Sequence, residues 1–273
     1  MNILFKKYLR GIVFLLLALI TLINANSLSA QSFSKSDGNW DNAPTNLWAT
    51  TAPGLATKTV PLAADAVTIQ AGNTITVNPS TSYTCASLTV TGNLVFSAGA
   101  QITVTGAVTG VGNIDMSAGG TLIIGGASFS TTGTFTAGTG TVIFNGGNQT
   151  VRGTTYNNLT FSNANTKTLS GSIVVNGTFT SSQNITGTTF DFTANGSVVH
   201  TGGVFNTIGS VTYNSGLAQD IIPGTHSGSM TLSSAGAKTL RGATTVAGAF
   251  NMSSSLSCGA NNMTLNGAVN YTS

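Results

Sequence analysis

A stretch of this chain repeats itself, and the repeat constrains the fold more than any other feature. TYNNLTFSNANTKTLSGSIVVNGTF, from Thr155 to Phe179, returns about 71 positions later as HSGSMTLSSAGAKTLRGATTVAGAF, from His226 to Phe250. Shifted the other way, Leu159, Ile173, Val175, Gly177 and Phe179 fall on Leu88, Ile102, Val104, Gly106 and Val108. The connecting segments match with a slip of one or two residues: GTVIFNGG from Gly140 with GSVTYNSG from Gly209, and TANGSVV from Thr193 with TLNGAVN from Thr264. Three columns keep size and apolarity: Leu88/Leu159/Met230, Val104/Val175/Val246 and Val108/Phe179/Phe250. The column Gly106/Gly177/Gly248 keeps glycine, which predicts a backbone turn with positive φ. Asn195-Gly196 and Asn266-Gly267 are strong turn dipeptides.

Within the unit, Val, Ile, Leu and Phe recur at every second position in short runs, the pattern of half-buried strands. Thr, a good strand former, is the commonest polar residue. Helical periodicity is missing beyond the first thirty residues. A sandwich or barrel does not need such a repeat. A solenoid does, because each coil rests on a neighbour in nearly the same environment. The expectation is an all-β, right-handed parallel β-helix. Coils of a little over twenty residues would make the unit about three coils, or ~14 Å along the axis at ~4.8 Å per strand. Thr, Ser and Asn would stack in ladders on the outer faces.

The first thirty residues predict export. Lys6, Lys7 and Arg10 precede an apolar run from Gly11 to Ile23, and small polar residues follow to Ala30. The run is short of the ~20 residues a membrane helix needs, so it reads as a signal-peptide helix cut after Ala30 or after Ser27. The formal net charge of +3 belongs to that leader. The remaining chain is close to neutral, contains no Glu, and offers no basic face for nucleic acid. Cys85 and Cys258 lie more than two repeats apart, so they are expected not to pair.

Residues 31–64 differ from the repeats and read as an N-terminal cap ahead of a solenoid over 65–273. They hold both tryptophans, Trp40 and Trp48, and three of the five prolines, Pro44, Pro53 and Pro61. An open solenoid end exposes apolar side chains and strand edges that such residues can cover. Gly38-Asn39-Trp40, Trp48, Pro61, Asp65-x-Val67-x-Ile69-x-x-Gly72-x-x-Ile75-x-Val77 and Leu88-x-Val90 resemble the opening of Bacteroidetes extracellular repeat proteins. The segment is loosely similar to the eight-glycine domain of cell-surface proteins. Downstream, GTVIFNGG, Gln149-Thr-Val151 and Tyr156-Asn-Asn-Leu-Thr160 resemble the β-solenoid repeats of the same large surface proteins. The resemblance implies a solenoid, a surface location and a separate C-terminal sorting domain; it implies no activity.

The residues point away from catalysis. Glycosidase carboxyls stand ~5–9.5 Å apart; Asp115 and Asp191 are about a repeat apart, while Asp191 and Asp220 could share neighbouring coils. Two histidines, His200 and His226, without Cys or Glu nearby make a poor metal site. Gly110-Val-Gly112-Asn113-Ile-Asp115 is a single glycine/aspartate motif without the tandem array that binds calcium. No catalytic residue, metal ligand or cofactor is expected. Trp40 and Trp48 read as a buried cap or, if exposed, as a pair that stacks on sugar rings. Lys167 and Lys238 read as exposed turn cations that discourage edge pairing. The T-x-T pairs Thr89/Thr91, Thr103/Thr105, Thr134/Thr136 and Thr178/Thr180 raise ice binding. The expected function is a secreted or surface structural and adhesive stalk, exported by the Sec route. The partner is an extracellular glycan or another surface protein. The alternative is a carbohydrate-binding or polysaccharide-degrading β-helix. The third repeat unit stops at Ser273 in mid-coil, so the chain is expected to be C-terminally truncated, with further domains beyond.

Overall fold

The computed structural model describes residues 30–41, 47–52, 56–58, 60–79, 81–163 and 165–272. The expected signal peptide, apart from Ala30, lies outside these residues, as do Pro44 and Pro53. The described residues contain no helix. They form a β-solenoid of about 11 turns.

Each coil visits three faces. The first face begins with Gln31–Ser34, Ala66–Ile69, Ser87–Val90 and Val108–Thr109, all parallel. The second begins with Gly38–Asn39, Thr74–Val77, Asn93–Phe96, Asn113–Asp115 and Phe135–Thr136. The third is a single ten-stranded parallel sheet from Ser82–Cys85 to Leu256–Ser257. Faces one and two each pass from one sheet to a second, seven-stranded one near the middle of the chain. On face one, isolated bridges Val108↔Phe129 and Ser128↔Thr150 carry the stacking across. On face two, the Phe135 ring packs on Tyr156 at 5.6 Å.

Alternation builds this core. In Thr121–Ile124, Leu122 and Ile124 are buried while Thr121 and Ile123 look outward. Fully burying a Val, Leu, Ile or Phe side chain is worth about 1.5–3 kcal/mol, so a few dozen inward residues dominate the stability. Val104, Val175 and Val246, and Val108, Phe179 and Phe250, all point inward. Aromatic rings run in contact through the interior: Phe144–Phe161 at 5.7 Å, Phe161–Phe179 at 5.2 Å, Phe179–Phe192 at 4.9 Å and Phe192–Phe205 at 5.5 Å. Outside, the expected ladders form. Thr89 and Thr109 hydroxyls sit 3.3 Å apart, and Asn113 donates to Asn93 (3.0 Å), Asn195 to Asn176 (2.9 Å) and Asn270 to Asn251 (2.8 Å).

The repeat is not three coils. Leu88 lies on the first face, Leu159 on the third and Met230 on the second. Val104, Val175 and Val246 likewise occupy the third, second and first faces. With ladder partners typically 19 or 20 positions apart, a shift of about 71 spans about three and two-thirds coils, or ~18 Å. Each repeat is therefore rotated by one face. The coils are shorter than expected because their corners are tight.

Those corners explain the glycines differently from the expectation. None of Gly106, Gly177 and Gly248 has positive φ. They are small because the preceding coil passes close: a Cβ on Gly106 would stand 2.4 Å from the Ala86 carbonyl oxygen. Gly196 is tighter, with a Cβ 1.8 Å from the Gly177 carbonyl oxygen. Gly196→Ala should cost about 1–3 kcal/mol by overpacking. Gly216→Ala, which would meet nothing within 4 Å, should be close to neutral. Urea unfolding of the two variants checks the contrast.

The N-terminal edge of face one is closed by antiparallel strands. Trp48–Ala49 pairs with Gln31–Ser34, and Ala56–Lys58 pairs with Trp48–Ala49. Asp65, 1 % exposed, ties the closure together. Its carboxylate accepts from Lys58 Nζ, from the Leu62 N–H (2.6 Å) and from Ser32 Oγ (3.0 Å). Burial alone would raise its pKa, but these hydrogen bonds and the Lys58 charge hold it below the usual carboxyl value.

Candidate functional surface

Trp40 and Trp48 are both fully buried, with ring centroids 5.2 Å apart, and Trp48 Nε1 donates to the Trp40 carbonyl (3.0 Å). Tyr83 packs on Trp40 at 5.9 Å. The pair is a core plug at the capped end. The sugar-stacking alternative for Trp40 and Trp48 fails because neither ring face reaches solvent.

Lys167 and Lys238 correct the expectation of exposed turn cations: both are 0 % exposed. Each starts a strand in phase with an inward leucine, Leu169 or Leu240, so its stem points into the solenoid. Lys167 Nζ donates to the carbonyls of Gly146 (2.7 Å) and Gly147 (3.0 Å) and to Gln149 Oε1 (2.7 Å). Lys238 Nζ donates to the carbonyls of Ser215 and Gly236, both at 2.9 Å. On the preceding coils Gln149 and Gln219 occupy the paired positions and donate to corner carbonyls in the same way. Burial lowers both lysine pKa values, Lys167 to about 8. These side chains plug the corners where the chain turns between faces. Lys167→Ala should cost about 1–3 kcal/mol, since the buried Gly146 carbonyl loses the Nζ donor and the Gly147 carbonyl and Gln149 Oε1 each lose one hydrogen bond; a shift in urea midpoint reads it.

The titratable groups do not converge. Asp115 looks outward from face two, Asp191 adjoins a face-two strand several coils on, and Asp220 lies on face three. Asp191 accepts from the Ser210 N–H (2.7 Å), and Asp220 pairs with Arg241 (2.6 Å) and accepts from the His200 N–H (2.9 Å). His200 is on face three and His226 on face one. Among the described residues no three of His, Cys, Asp and Glu are grouped to hold a metal ion. The T-x-T pairs are scattered over all three faces, so they build no common array: Thr89 is on the first, Thr134/Thr136 on the second, Thr103 and Thr180 on the third.

Cys85 and Cys258 are free thiols at opposite ends of the third face. Nine strand steps of ~4.8 Å separate their levels, about 43 Å. Burial, with a smaller contribution from Asp65, pushes the Cys85 thiol up to about 12. In native alkylation Cys258 should label and Cys85 should not, and intact mass should show no internal disulfide.

A concave region lies on face two. A cleft of ≈ 370 Å³ runs across four coils, lined by Thr74, Asn93, Val95, Asn113, Asp115 and Thr136 among others. Period-2 alternation marks each of these as outward-facing, yet only stacking brings them together from four coils.

Fold and surface together define a capped, parallel β-solenoid repeat protein with nearly uncharged outer faces. Residues 54–181 match the family described as the G8 domain. The matched segment runs from the capping strands through the coils that carry the cleft. No curated protein and no solved structure matches the chain.

Proposed function

We propose that the chain is an exported structural and adhesive element of the cell surface, a stiff spacer built from stacked coils. The observation that carries this reading is the unbroken ten-stranded sheet of face three, which ties successive coils together along the axis. The G8 match and the neutral, ladder-covered faces support it, as does the leader sequence at residues 1–30. Expression with the native leader, followed by protease shaving of intact cells, tests it. Release of solenoid fragments into the medium is expected. Complete protection until the cells are lysed would overturn the reading.

A further inference from the structure

We propose that the face-two cleft binds a neutral, hydroxyl-rich saccharide chain lying along the solenoid axis. The inference rests on the adhesive part of the reading above and supplies its ligand class. The cleft is lined by amides, hydroxyls and one carboxylate, stacked at the ~4.8 Å coil spacing. That is a step comparable to the length of a sugar unit, so each coil can meet one unit of a chain. Asn113 Nδ2 donates to Asn93 Oδ1 (3.0 Å), Asn93 Nδ2 donates to Thr74 Oγ1 (3.2 Å), and Asn113 Oδ1 accepts from the Thr134 N–H (2.9 Å). These bonds fix the amide planes and, among the described residues, leave each amide one free N–H. Asp115 Oδ1 is occupied by the N–H and Oγ of Ser117, which fixes the carboxylate plane as well. Among the described residues Asp115 Oδ2 and the hydroxyls of Thr134 and Thr136 take no hydrogen bond, and both threonines are exposed. Fixed planar groups with open donors and acceptors suit vicinal hydroxyls.

Other ligand classes fit less well. An anion meets Asp115 and no lysine or arginine in the lining. A metal ion finds a single carboxylate, half of it already engaged. An extended peptide needs an open strand edge, but Thr74–Val77, Asn93–Phe96 and Asn113–Asp115 pair with neighbouring coils on both sides, and only the two-residue strand Phe135–Thr136 under the cleft lies at a sheet edge. Without an exposed aromatic in the lining, recognition proceeds through hydrogen bonds, with Val95 giving a small apolar contact. Single-site affinity is then weak and gains from several attachment points along a surface.

The test is titration of the full chain, by calorimetry and by ligand-observed NMR, with neutral hexasaccharides of the β-glucan, xylan and mannan types and with an oligogalacturonate. Binding of at least one neutral oligosaccharide is expected, with little binding of the acidic one. Thr136→Val keeps strand propensity and removes one hydroxyl; Asp115→Ala removes the carboxylate. Each should weaken binding about fivefold, the worth of one hydrogen bond, while Thr180→Val on face three leaves it unchanged. No neutral sugar bound at millimolar concentration, tighter binding of the acidic sugar, or unchanged affinity in Thr136→Val would overturn the proposal. Because these measurements are made on purified protein, they can fail while protease shaving still supports surface display.

Discussion

Phe179→Ala should remove about 3–5 kcal/mol of stability from the coils around it. Phe179 is completely buried and its ring touches both Phe161 and Phe192. Truncation therefore leaves a cavity in the middle of a continuous aromatic column, where the ladders on three faces prevent collapse. Repeat arrays couple neighbouring units only in part, so the loss should appear as faster hydrogen exchange over residues 155–200, with the coils near Val67 changing less. Uniform exchange in the variant and the parent would show that the ring does not carry the local packing.

Acid should loosen the coil that holds His226. This side chain is 0 % exposed, sits edge-on to Phe205 at 5.5 Å, and has neither ring nitrogen hydrogen-bonded among the described residues. Its ladder partners are Ile208 and Val246. Burial drops its pKa from 6.5 to about 4. The unfolded chain therefore binds a proton that the folded chain refuses between these values. Stability is fully present above pH 6.5 and falls as pH drops to about 4, by about 3 kcal/mol in all. His226→Leu should abolish that slope and, by removing an unsatisfied buried polar group, add about 1–3 kcal/mol at pH 7. Urea midpoints at pH 7 and pH 4.5 read both effects. An identical pH dependence in parent and variant would contradict the burial of His226.

Much of the fold was legible because period-2 alternation is a local signal. Val104, Val175 and Phe179 fall on the apolar phase of the alternation and are inward. The same rule applied to Lys167 and Leu169, two positions apart, would have placed the lysine inside; reading its charge as exposure hid this. The one-face rotation of each repeat was hidden for a different reason. Equivalent residues such as Leu88 and Leu159 keep their inward direction whichever face they occupy, so sequence matching cannot distinguish three coils from three and two-thirds. Glycine at the corners was visible, but its cause, the approach of the preceding coil, is a long-range contact. The cleft was not legible as a site: Asn113 and Asp115 share one short motif, but Thr74, Asn93 and Thr136 belong to other coils, and only stacking brings them together.

The stacking itself is open to direct measurement. Spin labels replace outward threonines of face one, one label fixed at Thr264 and the second at Thr168, Thr150 or Thr68 in turn. Five, six and ten coils separate these positions along the face, so pulsed dipolar distances of about 24, 29 and 48 Å are predicted at ~4.8 Å per coil. A linear rise with coil number would establish the solenoid and its register together. Distances that fail to grow from Thr168 to Thr68, as in a closed barrel or a sandwich of the same length, would contradict it.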